Sequence, residues 1–115
     1  LIGDAAHAMV PSVGQGACMA FEDSYVLGRW MDICDNPLEA FENFRRVRIP
    51  RVHGVQRLSN SANKFKHMAD QDKQKAEIKS GNGTHGKIAW VWGFEPTQDW
   101  DKVPDNVPEA YRASA

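Results

Sequence analysis

Apolar residues recur at helical spacing along much of this chain. Phe21, Tyr25, Gly28 and Met31 fall three or four apart, in a run that opens Ala17-Cys18-Met19-Ala20. That spacing predicts a helix from Gly16 to about Cys34, apolar nearly all round in its first turns and so deeply buried. Glu22 and Asp23 interrupt the run. One is expected to face solvent and the other to pair with a basic group elsewhere in the full protein. Asp35-Asn36-Pro37 restarts a helix, with Asn36 as N-cap and Pro37 as first helical residue. Leu38, Phe41, Phe44 and Val47 then form an i, i+3 stripe. Pro50 cannot donate to the helix ladder and is expected to break or kink it. A further helix is predicted from about Pro50 to about Met68, carrying Val52, Val55, Leu58, Ala62 and Phe65. Asp70 to Ser80 is polar and reads as a short exposed helix, and Ser80 to Thr84 as a loop. An apolar segment, Ile88-Ala89-Trp90-Val91-Trp92-Gly93-Phe94, precedes a Pro-containing tail read as extended, with one turn near Glu109 to Arg112.

The opening has a different character. Leu1-Ile2 reads as the tail of a buried strand, followed at once by Gly3-Asp4. Gly3 allows close approach of a ligand or another backbone. Asp4 places a carboxylate at the strand's C-terminal end, where open α/β sheets bind ligands. A loop through Pro11 leads to Gly14-Gln15-Gly16 and then Ala17. Those glycines let a helix N-terminus present free N–H groups, with about half a positive charge, to an electron-rich ligand. The stretch therefore reads as strand end, loop, Gly-rich turn and helix start.

Composition narrows the choices. A net charge of −1 over 115 residues argues against a nucleic-acid partner. No apolar run reaches the ~20 residues that span a membrane. Cys18 and Cys34 both fall in helical pattern and read as reduced and buried. The chain opens with Leu1, inside what reads as a finished strand, and Gly-x-Gly-x-x-Gly occurs nowhere in it. The expectation is the C-terminal part of a longer protein whose N-terminal part carries the adenine-dinucleotide half of the site.

Gly3-Asp4-Ala5-Ala6-His7, then Pro11, Gly14-Gln15-Gly16 and Glu22-Asp23, resembles the second flavin-binding motif of FAD-dependent aromatic hydroxylases. These are class A flavoprotein monooxygenases, and the nearest likeness is to the salicylate hydroxylase and 6-hydroxynicotinate monooxygenase branch. Arg45-x-x-Arg48-x-Pro50-Arg51 is similar to a helix of the same family, so the likeness covers about the first two-thirds of the chain. The resemblance implies that Asp4 bonds the ribityl chain of FAD. It implies that Pro11, Gly14, Gln15, Gly16 and Ala17 lie along the flavin ring. It implies a parent of α/β, Rossmann-like fold that takes NAD(P)H, O₂ and a small aromatic acid. This fragment is expected to be mostly α, one short strand followed by three to four helices. Residues 1–35 would end the FAD-binding domain, 36–80 would be helices packed on it, and 81–115 a loop, Trp-rich segment and tail. A cytoplasmic location is expected. The alternative is a truncated helical fragment or interaction module that binds no flavin on its own.

Other residues are given plainer roles. His7, His53, His67 and His85 are scattered, and no metal site is expected. No catalytic residue is assigned: the base that activates the substrate is expected outside this chain. His7 is expected to bond backbone near the loop. Cys18, in a helix first turn, is expected to be a packed thiol and not a nucleophile. The arginine run reads as a solvated helix face, and the Trp-rich segment as packing against the rest of the protein.

Overall fold

The computed structural model describes residues 1–80 and 84–103. Its elements are α1 (Asp4–His7), a 3-10 turn (Pro11–Val13), α2 (Gly16–Ile33), α3 (Pro37–Lys66), α4 (Gln71–Lys79), α5 (Thr84–Trp92) and α6 (Pro96–Asp99). The predicted turn near Glu109 to Arg112 lies outside the described residues.

No strand occurs among the described residues, which corrects the reading of Leu1-Ile2. A strand needs a neighbour for its N–H and C=O groups. Here the chain turns instead at Gly3 (φ 58°, ψ −148°), and Asp4-Ala5-Ala6-His7 coils into one helical turn. Only a residue without Cβ takes that backbone conformation cheaply.

Local signals set the helix starts. The Asn36 side chain accepts the N–H of Leu38 at 2.9 Å, and Pro37 follows the cap directly. Asp70 caps α4 through the N–H of Lys73 at 2.9 Å, giving the expected short polar helix. At Pro50 the expectation of two helices is corrected: α3 runs unbroken for 30 residues, with Pro50 inside it. One ladder bond is lost there. Buried Val47 and Arg48 on one side, and Arg51 and Val52 on the other, fix both halves against α2.

The core lies between α2 and α3, which pack as an antiparallel pair. Two apolar clusters alternate with a charged layer. Met19 packs with Val52, Val55, Leu58, and with Ile88 and Val91 of α5. Val26 packs with Phe44 and Val47, flanked by Leu27, Trp30 and Trp100. Glu22 and Asp23 sit between Met19 and Val26 on α2, and Arg48 and Arg51 between Val47 and Val52 on α3, so the four charges meet across the pair. The apolar side chains of α2 are not all inside: Phe21 is 76% exposed, and Tyr25, Met31 and Ile33 are also exposed. The deep burial expected for the first turns of α2 therefore holds only on the face carrying Met19.

Candidate functional site

The loop between α1 and α2 is held by α3. Ser59 Oγ donates to the Val10 carbonyl, Gln56 Nε2 donates to the Ala8 carbonyl at 3.1 Å, and Ser12 Oγ donates to Asn63 Oδ1 at 3.4 Å. Pro11 opens the 3-10 turn, which ends at Gly14 in the left-handed conformation (φ 65°). A Cβ at Gly14 would meet nothing within 4 Å, so the turn is open on that side. Gln15 is the N-cap of α2 but gives no side-chain cap, and the helix enters directly at Gly16 and Ala17. The first N–H groups of α2 are thus left without an intrahelical or capping partner. The Asp4 carboxylate borders this end: its Oδ1 lies 3.9 Å from where a Cβ of Gly16 would stand. Asp4 is exposed and accepts no hydrogen bond from the described residues. Asp4, Gly14, Gln15, Gly16 and Ala17 therefore come together as one acceptor beside uncapped donors, with Pro11 at the entry to the same turn.

Behind this open face stands a buried network. Asp23 Oδ1 accepts from Arg48 Nε at 2.8 Å. Its Oδ2 accepts the N–H of Gly3 at 3.0 Å and lies 2.5 Å from His7 Nε2. Arg48 Nη1 donates to Glu22 Oε2 at 2.7 Å. Arg51 grips Glu22 with two bonds, Nε to Oε2 and Nη2 to Oε1, both 2.7 Å. Arg51 Nη2 also donates to the Val91 carbonyl at 3.0 Å, and its guanidinium lies 4.0 Å from the Phe94 ring centroid. Two carboxylates and two guanidiniums balance in charge, as burial requires. Burial of Asp23 acts to raise its pKa, but hydrogen bonds from His7, Gly3 and Arg48 outweigh it and hold the carboxyl below the ordinary aspartate range.

Several sequence readings change here. Glu22 and Asp23 both pair within this chain, and neither is the solvent-facing partner that was expected. Arg48 and Arg51 are buried, whereas Arg45 and Arg46 form the solvated face. His7 bonds the Asp23 carboxylate and not backbone. Cys18 is exposed and Cys34 half-buried, against the expectation that both are packed; both thiols are free. Trp92 is exposed while Ile88 and Val91 pack on α3, so part of the Trp-rich segment folds back onto this chain. The signal for the network was present: an acidic pair inside an apolar run, and two arginines three apart on a helix that also carries Val47 and Val52. Among the described residues no group of three or more His, Cys, Asp or Glu could hold a metal ion, and no helix is long and apolar enough to cross a membrane.

Comparison with known proteins gives this site its context. The chain is 37% identical over 98 residues to 3-amino-4-hydroxybenzoate 2-monooxygenase PtmB3 of Streptomyces platensis. It is 32% identical over 100 residues to 3-hydroxybenzoate 6-hydroxylase of Klebsiella oxytoca. Each match takes in 83% of this chain and 25% of the relative. The chain is similar to monooxygenases. It is also 41% identical over 73 residues to the chloroplastic zeaxanthin epoxidase of Spinacia oleracea, covering 51% of this chain and 11% of that protein. The chain spans about a quarter of the length of the two hydroxybenzoate enzymes. No family model matches it, and no solved structure does.

Proposed function

We propose that this chain is part of an FAD-dependent monooxygenase that hydroxylates a salicylate-like aromatic acid, with NAD(P)H as reductant and O₂ as oxygen source. In this reading Asp4 accepts hydrogen bonds from the ribityl hydroxyls, and Pro11, Gly14, Gln15, Gly16 and Ala17 lie along the flavin ring. The observation that carries it is the Asp4 carboxylate, which accepts no hydrogen bond from the described residues, beside the uncapped start of α2. The residues present fit such a group. Gly14 leaves open space, the helix end offers donors to an electron-rich ring edge, and Asp4 is the acceptor that hydroxyls need. The printed activities of the two hydroxybenzoate relatives support the same reaction class.

When bound, the flavin supplies the redox chemistry that passes electrons from NAD(P)H to O₂. The chain's own contribution is positional and electrostatic. The N-terminus of α2 favours negative charge on the ring, and the loop fixed by Ser59 and Gln56 keeps that end in place. The substrate pocket and the acid–base group are assigned to the rest of the protein. The exposed side of α2, with Phe21 and Tyr25, is assigned to packing against that remainder.

Asp4→Ala in the full-length protein tests the reading. Loss of a charged acceptor is worth ~1.5–3 kcal/mol, so FAD affinity should fall roughly tenfold or more by equilibrium titration. Unchanged affinity would overturn the assignment of Asp4. A full-length protein that binds no flavin at all would favour the interaction-module reading, to which the exposed apolar side chains also lend themselves.

A further inference from the structure

We propose that Asp23 is a positioning residue: one of its carboxylate oxygens clamps both ends of α1 and so sets where Asp4 points. The value of that clamp for ligand binding rests on the flavin reading above; the clamp itself does not.

α1 is four residues long, too short to hold itself, because one helical turn fixes many dihedrals for few hydrogen bonds. Its internal ties are the N–H groups of Ala6 and His7, both donated to the Gly3 carbonyl at 2.9 Å, and it has no side-chain cap. The turn is held from outside. Asp23 Oδ2 takes the N–H of Gly3 at the front of α1 and meets the His7 imidazole at the back. Asp4 lies between those two anchor points, next to Gly3.

The clamping carboxylate cannot swing. Its other oxygen is occupied by Arg48, Arg48 is bonded to Glu22, and Glu22 is held by the two-pronged grip of Arg51. Asp23 is 1% exposed and His7 6% exposed, so water does not compete for these bonds. Beside the clamp lies a cavity of about 370 Å³ lined by Ala6, His7, Asp23, Arg48, Val52 and His53 among others. A released α1 has room to settle into it and carry Asp4 away from the start of α2.

The experiment is a double-mutant cycle in the full-length protein. Asp23→Ala should weaken FAD binding at least tenfold when Asp4 is present. It should weaken it less than twofold in the Asp4→Ala background, because a positioning residue has nothing left to position. Where the protein binds FAD and Asp4→Ala weakens it, equal losses in both backgrounds, or no loss in either, would overturn the proposal. His7→Ala cuts one tie and leaves the charged layer intact, so it serves if Asp23→Ala does not fold. It should give a smaller loss of the same coupled kind, restored by His7→Gln, which keeps a side-chain donor. Amide hydrogen exchange over residues 4–9 separates this proposal from the flavin reading. Faster exchange in the variants of a protein that binds no FAD, or whose Asp4→Ala form binds it normally, would retain the clamp and discard the flavin role. Unchanged exchange would discard the clamp whatever the flavin does.

Discussion

The two faces of α2 depart from the usual arrangement of a surface helix. Towards α3 the helix turns Glu22 and Asp23, both locked to arginines in a layer between two apolar clusters. Away from α3 it turns Phe21 and Tyr25 outward, where Phe21 keeps 76% of its surface exposed. Area alone would place the phenyl ring inside and the carboxylates outside, since burying a Phe side chain is worth about 1.5–3 kcal/mol and burying unpaired charge costs several. The inner face tolerates charge because every formal charge there has a partner within about 3 Å. The outer face makes sense if it too is an inner face in the whole protein. The comparison teaches that a helix face can bury charge where each charge is paired, and that the outer apolar side chains of α2 are left uncovered by the described residues.

The largest expected effect comes from breaking the charged face. Arg48→Met removes the guanidinium that joins Asp23 to Glu22 and leaves a carboxylate less than fully compensated in a dry layer. The full-length protein should lose about 3–5 kcal/mol in denaturant unfolding. A loss below about 1 kcal/mol would mean that water reaches the layer and that the contrast between the faces is overstated.

The outer face gives the next effect. Phe21→Ala should cost the full-length protein about 3 kcal/mol, the penalty of a core phenylalanine. A change within about 0.5 kcal/mol would show that the ring faces water there also, and the assigned packing would fall.

The smallest effect calibrates the other two. Arg45 and Glu42 form an exposed i, i+3 pair at 3.0 Å on α3, close to Arg48 in sequence. Arg45→Ala should change stability by less than about 0.5 kcal/mol. A cost comparable with that of Arg48→Met would show that position on the helix, and not burial, decides the worth of these arginines.

What could be read in advance was the chemistry that acts locally. Gly14 and Gly16 mark the turn, and Asn36 and Asp70 mark helix starts, because each acts on neighbours within a few residues. The juxtaposition of Asp4 with the turn at residues 14–17 was legible for the same reason. Contacts across the sequence were not. Asp23 reaches back 20 residues to Gly3 and forward 25 to Arg48, and nothing in its immediate neighbours names either partner. At Pro50 the expected helix break does not occur: its local cost is real, yet buried residues on both sides of it keep α3 continuous. Leu1-Ile2 was read as strand from its apolar character, while the conformation depends on a neighbouring strand that the described residues do not provide. Cys18 was misplaced because period alone does not say which side of α2 meets α3.

The grip of Arg51 on the Val91 carbonyl has a consequence for how this chain comes apart. One guanidinium serves Glu22 on α2 and the backbone of α5 at once. Peeling α5 away strips a buried cation of part of its coordination, and the same cation braces Glu22, which through Arg48 braces Asp23, the carboxylate on which α1 leans. α5 and α1 are thereby enlisted in a single cooperative event, so loosening of one should be felt at the other.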